Sequence, residues 1–157
     1  MERIKTIVAL VSLSATSFKV LKQAHDFAKA LDAEVVLLHV VPPQSSVLGV
    51  GTVSPTVLEE PTVKRVAAEG RDLEEMRASL AQFGVQVRTE QANVKTAEDL
   101  LLECQKLGAD MLMVGTHGHG SFYNWLVGSV TAEVVAKAAL PVLVVPGVDV
   151  AASVAAV

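Results

Sequence analysis

The residues best placed to do chemistry lie between Val114 and Thr131. They read Gly115-Thr116-His117-Gly118-His119-Gly120-Ser121, then an apolar spacer from Phe122 to Val127, then Gly128-Ser129-Val130-Thr131. Glycines let the backbone approach a ligand closely. Unpaired N–H groups in such a turn converge on an anion, and a helix opening at Ser129 adds the positive end of its dipole. Ser121, Ser129 and Thr131 supply hydroxyl donors. These are the parts of a phosphate cradle that needs no lysine. The same residues also suit a tight strand-to-helix connection in which Gly118 and Gly120 only permit turns and Ser129 only caps the helix. A P-loop is excluded, because no lysine stands between Lys106 and Lys137. A Rossmann fingerprint is excluded by its different glycine spacing and its place after a first strand.

Other residues invite chemistry less. His117 and His119 lie near no Cys, Asp or Glu in sequence, so they lack the converging ligands of a metal site; His119 beside a phosphate is the better role. His39, inside an apolar run, reads as a packed core histidine. Cys104, on an apolar helix face, reads as buried filler. Glu59-Glu60 and Glu98-Asp99 read as helix-start charges. Phe122, Tyr123 and Trp125 hold half of the six aromatics and suit either a pinned loop or a partner surface.

The elements that must position this loop follow from hydrophobic periodicity. A β-branched strand is expected over 4–11. Phe18 to Leu31 reads as a helix with Val20, Leu21, Ala24, Phe27, Ala28 and Leu31 on one face. Glu34 to Val41 is apolar on both faces, the signature of a covered parallel strand. Residues 44–60 read as a long connection, and Pro61 suits the start of a helix whose inner stripe runs Val63, Val66, Gly70, Leu73, Met76, Leu80 and Phe83 to a cap at Gly84. An edge strand is expected over 85–90. Thr96 with Asp99 forms a capping-box-like pair ahead of Ala97, Leu100, Leu101, Cys104 and Leu107. Met111 to Val114, a helix from Ser129 through Val130, Val134, Val135 and Ala138, and a strand over Val142 to Val145 complete the series.

Strands and helices therefore alternate from end to end. That predicts an α/β fold, a single doubly wound domain with a five-stranded, mostly parallel sheet and helices on both faces. The domain is expected over 1–147, with 148–157 an Ala/Val-rich tail. Ligands in such folds sit at the carboxyl ends of strands where the winding reverses, so the segments after Val11, Val41 and Val114 are the candidate places.

Gly115-x-x-Gly118, nine residues, then Gly128-Ser129 matches the nucleotide motif of ATP-binding universal stress proteins. Glu34 to Val40 resembles that family's second strand, and Leu140 to Pro146 resembles its last helix exit and fifth strand. The resemblance covers roughly residues 1–147. It implies that Gly115, Thr116, His117, Gly118, His119, Gly120 and Ser121 hold phosphates and ribose. Gly128, Ser129, Val130 and Thr131 would complete the cradle. Val40 would contact the adenine, with Leu10 and Val114 lining the pocket. It implies ATP, AMP or ADP as ligand with Mg²⁺ accompanying the nucleotide, and a homodimer paired through Val142, Leu143, Val144 and Val145. In two places the chain departs from the pattern. Ser12 stands where ATP-binding members carry an aspartate, and His119 where many carry a basic residue.

Composition narrows the rest. Over 157 residues, 51% are hydrophobic but only 4% aromatic, so the core must be aliphatic. A net charge of -4 argues against nucleic acid as main partner. One cysteine permits no internal disulfide and suits a cytoplasmic location. The N-terminal apolar run lacks a basic region free of acid and a small-residue cleavage site, so a first strand explains it better than a signal peptide; no run reaches the length of a membrane span. The expected function is a homodimeric nucleotide-binding sensor. A dimeric adaptor of the same fold without nucleotide is the alternative that Ser12 keeps open, and a slow ATPase is the second. No base, nucleophile or metal-binding carboxylate stands near the loop.

Overall fold

The computed structural model describes residues 3–13, 17–41, 56–116 and 129–146. Nine elements alternate along them: β1 (Thr6–Leu10), α1 (Ser17–Leu31), β2 (Glu34–Val41), α2 (Thr56–Ala81), β3 (Val87–Asn93), α3 (Ala97–Lys106), β4 (Met111–Gly115), α4 (Ser129–Lys137) and β5 (Val142–Val145). The strands form one sheet in the order β3-β2-β1-β4-β5, and every pairing is parallel. The expected doubly wound fold is thus present, with a sheet that is wholly rather than mostly parallel.

The register explains the unbroken apolar strands. Ile7 lies beside Val35 and Met111, and Val8 beside Val36 and Leu112. Side chains alternate across the sheet, so a strand covered on both sides must be apolar at every position. Ile7, Ala9, Val35, Leu37 and Met113 face one way and pack with Val20, Leu21, Ala24 and Ala28 of α1 and Leu73 and Leu80 of α2. Val8, Leu10, Val36, Leu38, Val40, Leu112 and Val114 face the other way, under Ala97, Leu100 and Cys104 of α3 and Val134 of α4.

Local signals hold where the chain carries its own instructions. Thr96 accepts a hydrogen bond from the Asp99 N–H at 3.1 Å, and the Asp99 carboxylate accepts one from the Thr96 N–H at 3.1 Å, closing the capping box. Gly84 takes φ 80° just past α2, as a C-terminal cap requires. Asp32 reverses the chain between α1 and β2 at φ 54°, a left-handed conformation that aspartate tolerates better than most. Asp110 ties β4 to β1 by accepting from the N–H groups of Lys5 at 2.8 Å and Thr6 at 2.9 Å.

Three expectations shift. The second helix starts at Thr56, inside the expected 44–60 connection and before Pro61. Its stripe is buried only in part: Leu73 and Leu80 are covered, but Val63 and Phe83 are exposed. The helix packs on β2 and β3, and the two ends of the stripe find no cover there. Gly70 marks its close approach, for a Cβ there would meet the Gln91 side chain at 3.3 Å. The edge strand runs over 87–93 rather than 85–90, because its ladder with β2 continues to Asn93 beside Val41 whatever the side-chain alternation. In α4, Val135 points to solvent while Val134 is buried.

Candidate functional site

The winding reverses at β1. From it the chain proceeds to β2 and β3 on one side, then crosses to β4 and β5 on the other. The crevice of such a sheet lies at the carboxyl ends of the two strands flanking the reversal. Here those ends are Leu10-Val11-Ser12 and Val114-Gly115-Thr116. Of the three candidate segments, those after Val11 and Val114 flank the reversal directly, and that after Val41 lies one strand away.

The residues expected to line a pocket come together. Leu10, Val40 and Val114 share one face and one apolar cluster, 3%, 5% and 1% exposed. Val94 and Ala97 pack with them, and Val130 of the first turn of α4 leans on the same cluster. They form a floor more than a wall, since so little of each reaches the surface. Gly115 and Thr116 stand half-buried at the mouth, and α4 begins at Ser129 as expected, with Thr131 half-buried in its first turn. His117, Gly118, His119, Gly120, Ser121 and Gly128 lie outside the described residues.

The backbone donors at the mouth are partly committed. Thr116 N–H donates to the Val145 carbonyl at 2.9 Å, which extends the β4–β5 ladder. Val11 N–H donates to the Leu38 carbonyl at 3.0 Å, and Ser12 N–H to Ser17 Oγ at 2.9 Å. Donors for an anion must therefore come from beyond Thr116 and from the start of α4. The Ser12 hydroxyl lies 3.2 Å from Ser17 Oγ, so serine at this place engages the start of α1.

His39 is buried as expected, at 4% exposure, but it is no inert filler. Its Nδ1 lies 3.0 Å from the Val11 carbonyl oxygen and its Nε2 3.4 Å from Glu69 Oε2 of α2. Neither contact follows from sequence spacing. The signal that was available is the polar ring itself, since two nitrogens inside a covered strand must find partners. Ser17 was likewise missed, as a hydroxyl one turn before an apolar stripe looks like any helix start.

Elsewhere the chemistry is muted. Burial pushes the Cys104 thiol up to about 12, with the negative charge of Glu103 adding to the effect, so no thiolate is available near neutral pH. Glu98 is held below the usual carboxylate range chiefly by hydrogen bonding to Lys137, which also pairs with Glu133 and so links α4 to α3. A hollow of about 660 Å³ between α3 and the α4–β5 connection is lined by Leu101, Leu102, Ala139 and Leu140. Among the described residues no three of His, Cys, Asp and Glu gather to hold a metal ion. Among them, too, no helix is long and apolar enough to cross a membrane.

Comparison with known proteins agrees with this geometry. Residues 3–146 match the model of the universal stress protein family. The universal stress protein YxiE of Bacillus subtilis is 32% identical over 146 residues, covering 90% of this chain and 97% of that protein. The solved structure of protein MJ0577, of Methanocaldococcus jannaschii, superposes with a TM-score of 0.72 at 26% identity, covering 92% of this chain and 97% of that one. Two more distant structures share the fold. One is a universal stress protein in complex with cAMP (TM-score 0.66, 20% identity, 94% and 100% covered), the other a universal stress protein of Archaeoglobus fulgidus in complex with dAMP (TM-score 0.61, 18% identity, 92% and 99% covered). Matched along its described length, and with the apolar cluster of Leu10, Val40 and Val114 reaching the strand ends where the winding reverses, the chain belongs to the universal stress protein family.

Proposed function

We propose that this protein binds an adenine nucleotide, ATP in the first instance, in the crevice between β1 and β4, and acts as a homodimeric sensor in the cytoplasm. The observation that carries the reading is convergence. The β1 exit and the β4 exit lie side by side at one end of the sheet, and Val130 at the start of α4 packs on the same apolar cluster as Leu10, Val40 and Val114. The floor suits the apolar face of a purine, with Val40 nearest the adenine. The loop from Gly115 to Ser121 with Gly128 to Thr131 suits the ribose and phosphates, whose charge the helix start and loop amides offset. Mg²⁺ would enter on the phosphates, as residues 115–131 contain no Asp or Glu. The cAMP and dAMP carried by two proteins of this fold support an adenine ligand.

Mass spectrometry of nucleotide released on denaturation, followed by titration of ATP and Mg²⁺ against Trp125 fluorescence, tests this. Saturable binding is expected, and Ser12→Asp, which supplies a carboxylate for the ribose or adenine edge, is expected to tighten it about tenfold or more. No released nucleotide and no binding at millimolar ATP would transfer the function to a dimeric adaptor. The Ser12–Ser17 contact, in place of a carboxylate, favours that second reading.

The dimer reading rests on β5. It has a neighbour only on its β4 side within the described sheet, and Val144 is exposed. An open apolar edge of this kind pairs readily with a second copy. Light scattering at micromolar concentration is expected to give twice the chain mass. Val144→Lys, which puts a charge on that edge, is expected to halve it. A parent already monomeric would remove the β5 interface from the proposal.

A further inference from the structure

The β1 exit is held more tightly than a simple connection needs. Three consecutive backbone groups are each given a partner: Val11 N–H by the Leu38 carbonyl, the Val11 carbonyl by His39, and Ser12 N–H by Ser17 Oγ. The two side chains involved are 4% and 3% exposed. The next residue, Leu13, sits at φ 56°. A leucine in left-handed backbone is strained, and such strain persists only where the surroundings over-determine the chain. This turn lies at the reversal of the sheet, where the crevice opens.

The chemistry of His39 is set by its partners. The Val11 carbonyl only accepts, so Nδ1 carries a proton and donates. Nε2 lies 3.4 Å from the Glu69 carboxylate. Glu69 is itself 3.5 Å from Arg65 one helical turn back on α2. The imidazole is thus fixed from behind by α2 and aimed at the peptide that leaves β1.

We propose that His39, with Ser17, is a positioning residue: it holds the strained turn Val11-Ser12-Leu13 in the single conformation that the nucleotide crevice requires. This deepens the nucleotide reading and rests on it. The β1 exit is preorganised before ligand arrives, so no ordering of this turn is charged against binding.

Two substitutions separate the two ends of the ring. Asparagine places its amide donor where Nδ1 stands, so His39→Asn keeps the bond to Val11 and drops Glu69. Glutamine reaches to where Nε2 stands, so His39→Gln keeps Glu69 and drops Val11. Amide exchange of Ser12, followed by NMR, reports the turn, and calorimetric titration with ATP and Mg²⁺ reports the site. In His39→Gln both Ser12 exchange and the Kd are expected to rise about tenfold, the effect of one lost buried hydrogen bond, and in His39→Asn both are expected to return close to the parent values. Should His39→Gln not fold, Ser17→Ala removes the acceptor of Ser12 N–H and is expected to raise the same two quantities. Faster Ser12 exchange with an unchanged Kd would overturn the role in the site. Equal exchange in the parent and in His39→Gln would overturn the clamp. A parent that binds no nucleotide overturns the functional reading instead, and the exchange data still judge the clamp by themselves.

Discussion

Valine at Gly118 is expected to weaken ATP binding by about a hundredfold or more while leaving the melting temperature within a few degrees of the parent. In sequence the loop follows β4, the neighbour of β1 in the sheet, and ends where α4 begins at Ser129. Donors for an anion are expected from beyond Thr116 and from the start of α4, because the N–H of Thr116 is used by Val145 and that of Ser12 by Ser17. Bringing those amides within about 3 Å of a phosphate oxygen requires backbone with no side chain in the way. A branched side chain at Gly118 blocks that approach. The clusters that hold the sheet among the described residues are built from aliphatic side chains, and glycine has none to contribute, so the fold is expected to survive the change. Titration of the folded variant with ATP and Mg²⁺ checks the claim, and an unchanged Kd would remove the glycine loop from the site.

The second large effect is on stability. Leu100→Ala is expected to cost about 3 kcal/mol, within the usual range for truncating a buried leucine. For a chain of this size that is a fall of roughly 6–12 °C in Tm. Leu100 is 0% exposed and lies in the cluster that contains Leu10, Val40 and Val114, so α3 is pinned to the floor of the crevice by this side chain. The carboxyl ends of β1, β2 and β4 reach that cluster through those three side chains, and truncating Leu100 leaves a void that the parallel strands cannot close. Urea unfolding with an unchanged m-value checks this. A loss below about 1 kcal/mol would mean that α3 is not anchored there.

What the sequence determined by itself was local or periodic. Runs such as Val35-Val36-Leu37-Leu38 declare a strand covered on both faces, because alternation of side chains leaves no polar position. Thr96 with Asp99 declares a helix start, because both halves of the capping box lie within one turn. Gly84 declares a helix end, whereas the glycine loop with Gly128-Ser129 was open between a phosphate cradle and a plain connection until its resemblance to a family motif was considered. The tertiary structure decided everything that depends on which strand lies beside which. Strand order put the reversal at β1 and β4, and so singled out two of the three candidate segments. The ladder with β2 carried β3 on to Asn93, past the end of its own alternation. The helix stripe from Val63 to Phe83 is buried only where the sheet lies beneath it, so spacing overstated its reach. Ser17 meets Ser12 from five residues away, but His39 meets the β1 exit, and Glu69 meets His39, across large separations along the chain, and only the packing of β2 and α2 brings them there. A hydrogen bond between distant residues leaves no periodic trace in a sequence, and for that reason the clamp on the crevice became visible only in three dimensions.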